Sequence, residues 1–213
     1  MSNKNSTLLN PTEILDIYGP PILNDLESQE HFTLNKAETN LLKTHTNTKD
    51  AIYFLVCLVF FKIKGTFVEF NYEDIRVERQ YLMKRYFPGK PLPKSLPVKY
   101  IQSQIKSKIL NLCGYQKFAG TIPNIIFQEL CISTSNHPRQ RQLCKEFLNS
   151  CVKYKASIPG YTTLQDVVSN VWNHENKRVR TSYIRHTTSP QRAMVLSLLD
   201  KTDDVAILFR TIC

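Results

Sequence analysis

The longest apolar run in the chain, AIYFLVCLVFF from Ala51 to Phe61, constrains the fold more than any other feature. Its eleven residues are too few to cross a bilayer, which takes about 20. Charged residues bracket the run, and Gly65 offers a place for a helix to end. A helix that is apolar on every side has to be covered on every side. We therefore expect a central helix, buried in a folded core, around which other helices pack.

Capping residues and apolar spacing predict further helices along nearly the whole chain. Asn35 with Glu38, and Asn71 with Asp74, have the spacing of a helix start. The segment 65–70, GTFVEF, is the only short candidate for a strand. The predicted fold class is therefore all-α.

Two compact helical domains, helix-turn-helix-like and in tandem, are expected from this pattern. The predicted boundary lies near residues 118–121, which gives domains of residues 1–118 and 119–213. A last helix is predicted from Ser189, which precedes a proline, through Leu199.

The excess positive charge is confined to one part of the chain. Residues 1–98 carry 12 lysines and arginines against 11 acidic residues, whereas residues 99–192 carry 14 against 4. Residues 193–213 carry 2 against 3, and the formal net charge of the chain is +10. A block of one sign points to a polyanionic partner.

Other chemistries have weaker support in the sequence. The six cysteines form no CxxC pair and the five histidines are scattered, so their spacing predicts no metal site. Glycine-rich phosphate loops are absent, and a Cys-His nucleophile has no local signature to support it. The polar first ten residues predict a cytoplasmic protein with reduced thiols. We expect no enzymatic activity, no cofactor and no membrane partner for this chain.

The stretch ASIPGYTTLQ, residues 156–165, separates two cationic amphipathic segments. Pro159 and Gly160 predict a turn, and Thr162 with Gln165 has the spacing of a capping box. The unit is typical of a variant helix-turn-helix, whose second helix can place the side chains at its N-terminal end in the major groove of DNA.

The apolar spacing after this turn predicts which side of the second helix faces the core. Leu164, Val168 and Trp172 lie on one stripe. Thr163 and Gln165 flank Leu164 at about 100° to either side, so we expect them to face DNA.

A second cationic face is predicted on the helix over residues 97–113, whose isoleucines point inward. Basic residues before and after the turn would contact phosphates, and polar residues at the start of the second helix would contact bases. The predicted DNA-binding residues are Lys99, Gln102, Ser103, Lys106, Arg139, Arg141, Lys153, Lys155, Tyr161, Thr162, Thr163, Gln165, Lys177, Arg178 and Arg180.

Three segments, in this order, resemble the N-terminal region of replicative transposases of the Tn-three family. They are HFTLNKAETNLL (31–42), ILNLCGYQKF (109–118) and ASIPGYTTLQDVV (156–168). The resemblance runs from about residue 18 to residue 200. It implies tandem helical DNA-binding domains that recognise the terminal inverted repeats of the transposon.

The resemblance also implies where the chemistry would lie. In such transposases, DNA cleavage and strand transfer belong to a C-terminal RNase H-like domain that uses acidic residues and a divalent metal. The 213 residues contain no such domain, so the chain is expected to be part of a longer protein or a shortened product. The expected partner is the double-stranded DNA of transposon ends, and a homodimer through regions outside this chain is possible.

A helical protein-interaction or scaffolding module is the alternative, with its basic face against an acidic protein. Salt-dependent preference for a duplex with the inverted repeat over a scrambled duplex distinguishes the two functions.

Overall fold

The computed structural model describes residues 8–134 and 140–199 and confirms the all-α class. No strand occurs in these ranges, and the one candidate segment, residues 65–70, is irregular. The helices are α1 (Pro11–Tyr18), α2 (Asp25–His31), α3 (Lys36–Leu42), α4 (Thr48–Lys64), α5 (Arg76–Tyr86), α6 (Lys99–Cys113), α7 (Ile122–Ser133), α8 (Gln140–Lys153), α9 (Tyr161–His186) and α10 (Ser189–Leu199).

The apolar run forms the middle of α4, and every residue from Ala51 to Phe61 is buried. Asn47 caps the start of the helix, and Gly65 ends it in the left-handed conformation, with φ of 68°. The helices α3, α5 and α6 pack against α4, and α6 contributes the buried Ile105 and Ile109. The predicted central helix is confirmed. Within the described ranges, no helix has the length and apolarity that a membrane crossing needs.

A second apolar core lies between α7, α8 and α9. Its fully buried side chains include Leu130, Phe147 and Val168, one from each helix. Leu9 is buried in the same core, so the N-terminal segment packs on the later helices although the first core follows it in the sequence. The domain boundary predicted near residue 118 stays a prediction.

Two predicted helix starts have different outcomes. Asn35 and Glu38 form a capping box, in which each side chain accepts the backbone N–H of the other residue at 2.9–3.0 Å. The Asp74 carboxylate accepts the Asn71 N–H at 2.7 Å, but this bond closes a turn, and α5 begins only at Arg76. The second prediction is wrong because the bond between residues 71 and 74 is compatible with a single turn as well as with a helix.

Candidate nucleic-acid interface

The connection between α8 and α9 is hydrogen-bonded to the segments that follow α4 and α6. The carbonyl of Gln116 accepts the Ser157 N–H at 2.8 Å, and the carbonyl of Gly65 accepts the Ile158 N–H at 2.9 Å. The hydroxyl of Thr66 donates to the Ile158 carbonyl at 2.9 Å. These bonds, together with the turn itself, fix the direction in which α9 leaves the connection.

The helix α9 begins two residues earlier than the sequence predicts. Gly160 is the N-cap residue, Tyr161 is the first residue of the helix, and no side chain caps it. The predicted capping box at Thr162 and Gln165 is therefore wrong. The physical reason is that the backbone at Gly160 is already extended (φ −58°, ψ 156°), which is the conformation of an N-cap residue.

Tyr161 is held by the N-terminal segment. Its hydroxyl accepts the Leu9 N–H at 3.3 Å, and its ring meets that of Tyr18 edge to face, with centroids 6.1 Å apart. The contact of Tyr161 with DNA stays a prediction, and the structure gives this residue a packing role as well.

The core side of α9 is the one that the apolar spacing predicts. Leu164, Val168 and Val171 are fully buried, and Trp172 is partly buried against the same core. Gln165 is half-buried at the flank of this stripe. The opposite side is polar and exposed, and we call it the outer face of α9; its residues are Thr162, Thr163, Asp166, Asn170, Asn173, Lys177 and Arg180.

Two residues of the outer face were not among those predicted to bind DNA. Asn170 and Asn173 lie six and nine positions after Leu164, which places both on the side away from the core. The amide of asparagine can donate to and accept from adenine in the major groove. The period of the apolar stripe could have identified them, because it also defines the opposite side of the helix.

The second half of α9 carries a buried acid among its basic residues. Glu175 accepts a hydrogen bond from Arg178 Nε at 2.6 Å and lies 3.1 Å from Nδ1 of His174. Arg178 remains 59% exposed. Lys177 and Arg180 are exposed, and a shallow surface recess includes Lys177 and Arg178. This part of the helix can contact phosphates.

Two predicted basic residues on α8 are paired with acids. Arg141 pairs with Glu13, and Lys153 pairs with Glu129. The pKa of Glu13 is lowered, first by the Asn10 backbone N–H and then by Arg141. The pKa of Glu129 is lowered mainly by the hydrogen bond from Lys153. Because these ion pairs are exposed, Arg141 and Lys153 can leave their acidic partners and bind phosphates at a low cost in free energy.

Lys155 and Arg139 complete the predicted set around the turn. Lys155 is exposed and adopts φ of 46°, an uncommon value for a residue with a side chain. It lies at a shallow recess shared with Gln116 and Lys153. Arg139 lies outside the described residues.

Some of the predicted DNA-binding residues of α6 are exposed, and others are partly buried against the rest of the protein. Lys99 and Ser103 are exposed. Gln102 donates to the Pro97 carbonyl at 2.7 Å and accepts from the Tyr53 hydroxyl at 3.2 Å. Lys106 is half-buried.

The electrostatic environment of this face is mixed. The ammonium group of Lys106 lies 5.5 Å from the centre of the Phe67 ring. Glu69 and Asp74 line the same cavity of about 350 Å³ as Lys99 and Lys106. The nearby acids reduce the positive potential here, so α6 offers a weaker surface for a polyanion than α9 does.

Comparison with known protein families identifies the family of this chain. The family described as "Domain of unknown function (DUF4158)" matches residues 8–171. The chain belongs to this family. The DUF4158 match covers both apolar cores, the connection to α9 and the first three turns of that helix, and Lys177 and Arg180 follow it. No curated protein matches the chain.

Proposed function

We propose that this DUF4158 protein binds double-stranded DNA as the N-terminal part of a replicative transposase of the Tn-three family. Its role would be to hold the terminal inverted repeats of the transposon. DUF4158 domains are often associated with transposases of that family, and the three motifs at residues 31–42, 109–118 and 156–168 support the same assignment. DNA cleavage would belong to a different domain of such a protein.

The outer face of α9 is the observation that carries this proposal. The helix has 26 residues and is roughly 39 Å long at 1.5 Å per residue. Its N-terminal half is anchored by Leu164, Val168 and Val171, while the opposite side offers only polar and charged side chains. An anchored helix with a polar outer side suits the major groove, which admits one α-helix.

The positions of the cations fit the same arrangement. Lys153 and Lys155 precede α9, and Lys177 and Arg180 lie roughly four to five turns into it. The first turn of α9 has no side-chain cap, so its backbone N–H groups can donate to a phosphate oxygen. The cations before and after the segment from Thr163 to Asn173 would thus contact phosphates. The outer-face residues of that segment would contact base edges.

The test measures binding of the whole chain to two duplexes by fluorescence anisotropy. One duplex carries the terminal inverted repeat of the transposon that encodes the protein, and the other is a scrambled duplex of the same composition. We expect the repeat to bind about 10³-fold more tightly at physiological salt. Asn173→Ala should lose about 1–3 kcal/mol of this discrimination, whereas Lys177→Ala should weaken both duplexes alike.

Lys84→Ala is the matched control, since it removes an exposed lysine of α5 outside the basic block; it should bind both duplexes as the parent does. Equal affinity for the two duplexes would contradict recognition of the repeat. Tighter binding of an acidic polypeptide than of either duplex would favour the protein-interaction module instead.

A further inference from the structure

Three side chains that can ligate a metal meet where α9 leaves the second core. Cys131 is on α7, and His174 and Glu175 are on α9. The Sγ atom of Cys131 lies 3.7 Å from Nδ1 of His174, which lies 3.1 Å from Oε1 of Glu175. One atom from each of the three residues fits within 4.8 Å of the others. Their spacing along the sequence predicts no such site, because 43 positions separate the cysteine from the histidine.

We propose that Cys131, His174 and Glu175 form a binding site for zinc. Thiolate, imidazole and carboxylate are the three ligand types that zinc takes from proteins, at bond lengths of about 2.0–2.3 Å. Atoms bound at those lengths around a tetrahedral ion are about 3.3–3.7 Å apart. The Sγ–Nδ1 separation of 3.7 Å and the Nδ1–Oε1 separation of 3.1 Å are close to this range. The ligand atoms of the three residues all lie within 4.8 Å of one another, so side-chain movements of up to about 1 Å would bring them to tetrahedral spacing.

The burial of the three residues gives the site an inner and an outer side. Cys131 is 9% exposed, the side chain of Glu175 is 6% exposed and that of His174 is 56% exposed. The ion would enter past His174, and a water molecule would take the fourth position on the solvent side. The His174 ring meets the Phe127 ring edge to face at 5.6 Å, which restricts its orientation.

The charges of the site suit a divalent ion. Cys131 would bind the ion as a thiolate and Glu175 as a carboxylate. Zinc binding would release the thiol proton to solvent. The thiolate and the carboxylate would then supply two negative charges to the ion, beside the positive charge of Arg178 on the same carboxylate. Arg178 holds Oε2 of Glu175 and leaves Oε1 for the metal, as neighbouring groups of metal ligands commonly do.

The site would join α7 to α9 at the last buried residue of α9, just before the exposed part of that helix. Glu175 is the last buried residue of α9, and the helix continues for eleven residues beyond it, to His186. A metal bridge here would fix the direction of that extension, and with it the positions of Lys177 and Arg180. This inference does not depend on DNA being the ligand of the protein.

Cobalt is the probe for this site, because it occupies zinc sites and reports its ligands by absorption. The reduced whole chain, freed of metal with a chelator, is titrated with Co²⁺ alone and then with Zn²⁺. We expect one equivalent of Co²⁺ to give the strong visible bands of a four-coordinate ion and a near-ultraviolet thiolate-to-cobalt band. Zn²⁺ should abolish both, and zinc should raise the thermal unfolding temperature of the parent.

Two variants identify the ligands. Cys131→Ser should lose the thiolate band, and His174→Gln should weaken Co²⁺ binding at least about 10-fold. Because His174 is mostly exposed, its variant tests the site even if Cys131→Ser fails to fold. Cys113→Ser and His186→Gln are the matched controls, a half-buried cysteine and an exposed histidine outside the cluster. The proposal fails if the parent gives no thiolate band, or if both ligand variants bind Co²⁺ as the controls do.

Discussion

Burial decides what several polar residues of this chain do. Gln102 and Tyr161 were both predicted to contact DNA, and both use their polar groups inside the protein. Gln102 links the start of α6 to Tyr53, and Tyr161 accepts the backbone N–H of Leu9. Breaking such bonds at partly buried sites costs about 1 kcal/mol each. Any contact of these residues with DNA would have to compensate that cost, unlike a contact from the exposed Asn173.

His45 leads to a prediction on the pH dependence of stability. Its ring lies 5.2 Å from that of Phe54, and among the described residues its shielded Nε2 has no hydrogen-bond partner. Burial, helped by Lys108, lowers the pKa of His45. The unfolded chain therefore takes up a proton at His45 near pH 6.5, while the folded chain resists it. Stability should fall as the pH drops below that value and continue to fall down to the folded pKa.

His45→Phe should remove this part of the acid sensitivity, because phenylalanine cannot take up the proton. The measurement is the free energy of unfolding in urea at pH 7.5 and pH 5. The drop between the two should be smaller for His45→Phe than for the parent, and His186→Phe, a change at an exposed position of α9, is the control. Equal drops in His45→Phe and the parent would show that His45 does not contribute.

At the scale of elements, local patterns in the sequence predict well which residues form helices. They predict poorly which segments pack against each other. The centre of α4 follows from its apolar run, and the end of α6 at Cys113 follows from Gly114, which is left-handed with φ of 69°. The sequence predicts the start of α9 two residues late, because a turn and a cap use the same residue types. The packing of Leu9 on the second core could not be predicted, since α1 to α6 lie between them in the sequence.

The same limit applies to the candidate sites. The apolar stripe of α9 predicts its exposed side, which includes Asn170 and Asn173 as well as Thr163. By contrast, the meeting of Cys131 with His174 depends on how α7 crosses α9. No periodicity within either helix encodes that crossing, so the cluster appears only in three dimensions.

The two sides of α9 lead to a prediction on stability. Val168 is fully buried between α7, α8 and α9, so Val168→Asp places an unpaired charge in the second core. We expect it to lower the free energy of unfolding by at least about 3 kcal/mol. Asn170→Asp, on the outer face two residues later, should change it by less than about 0.5 kcal/mol. The measurement is urea unfolding followed by far-ultraviolet circular dichroism. Similar losses in the two variants would contradict this assignment of the two sides.

At the scale of the whole molecule, the cations matter by position and not only by number. The basic block, residues 99–192, spans α6 to the start of α10. Some of its cations are balanced by acids from outside the block, as Arg141 is by Glu13. The second half of α9 combines exposed cations with a buried acid, so its positive charge faces outward. A polyanion should therefore bind along α9 and its preceding turn, not over the whole surface.

Two triple variants with the same formal net charge test this localisation. The first, Lys155→Gln with Lys177→Gln and Arg180→Gln, removes exposed cations in the connection before α9 and on the outer face of α9. The second, Lys36→Gln with Lys84→Gln and Lys94→Gln, removes exposed lysines outside the basic block.

Removing one cation that binds a phosphate should reduce the slope of log affinity against log salt by about 0.9. We expect the first variant to bind a scrambled duplex with a slope smaller by about 2–3 and the second to keep the slope of the parent. The measurement is fluorescence anisotropy across a series of salt concentrations. Equal changes in both variants would mean that net charge alone drives binding, and the positions of the cations on α9 would then have no special role.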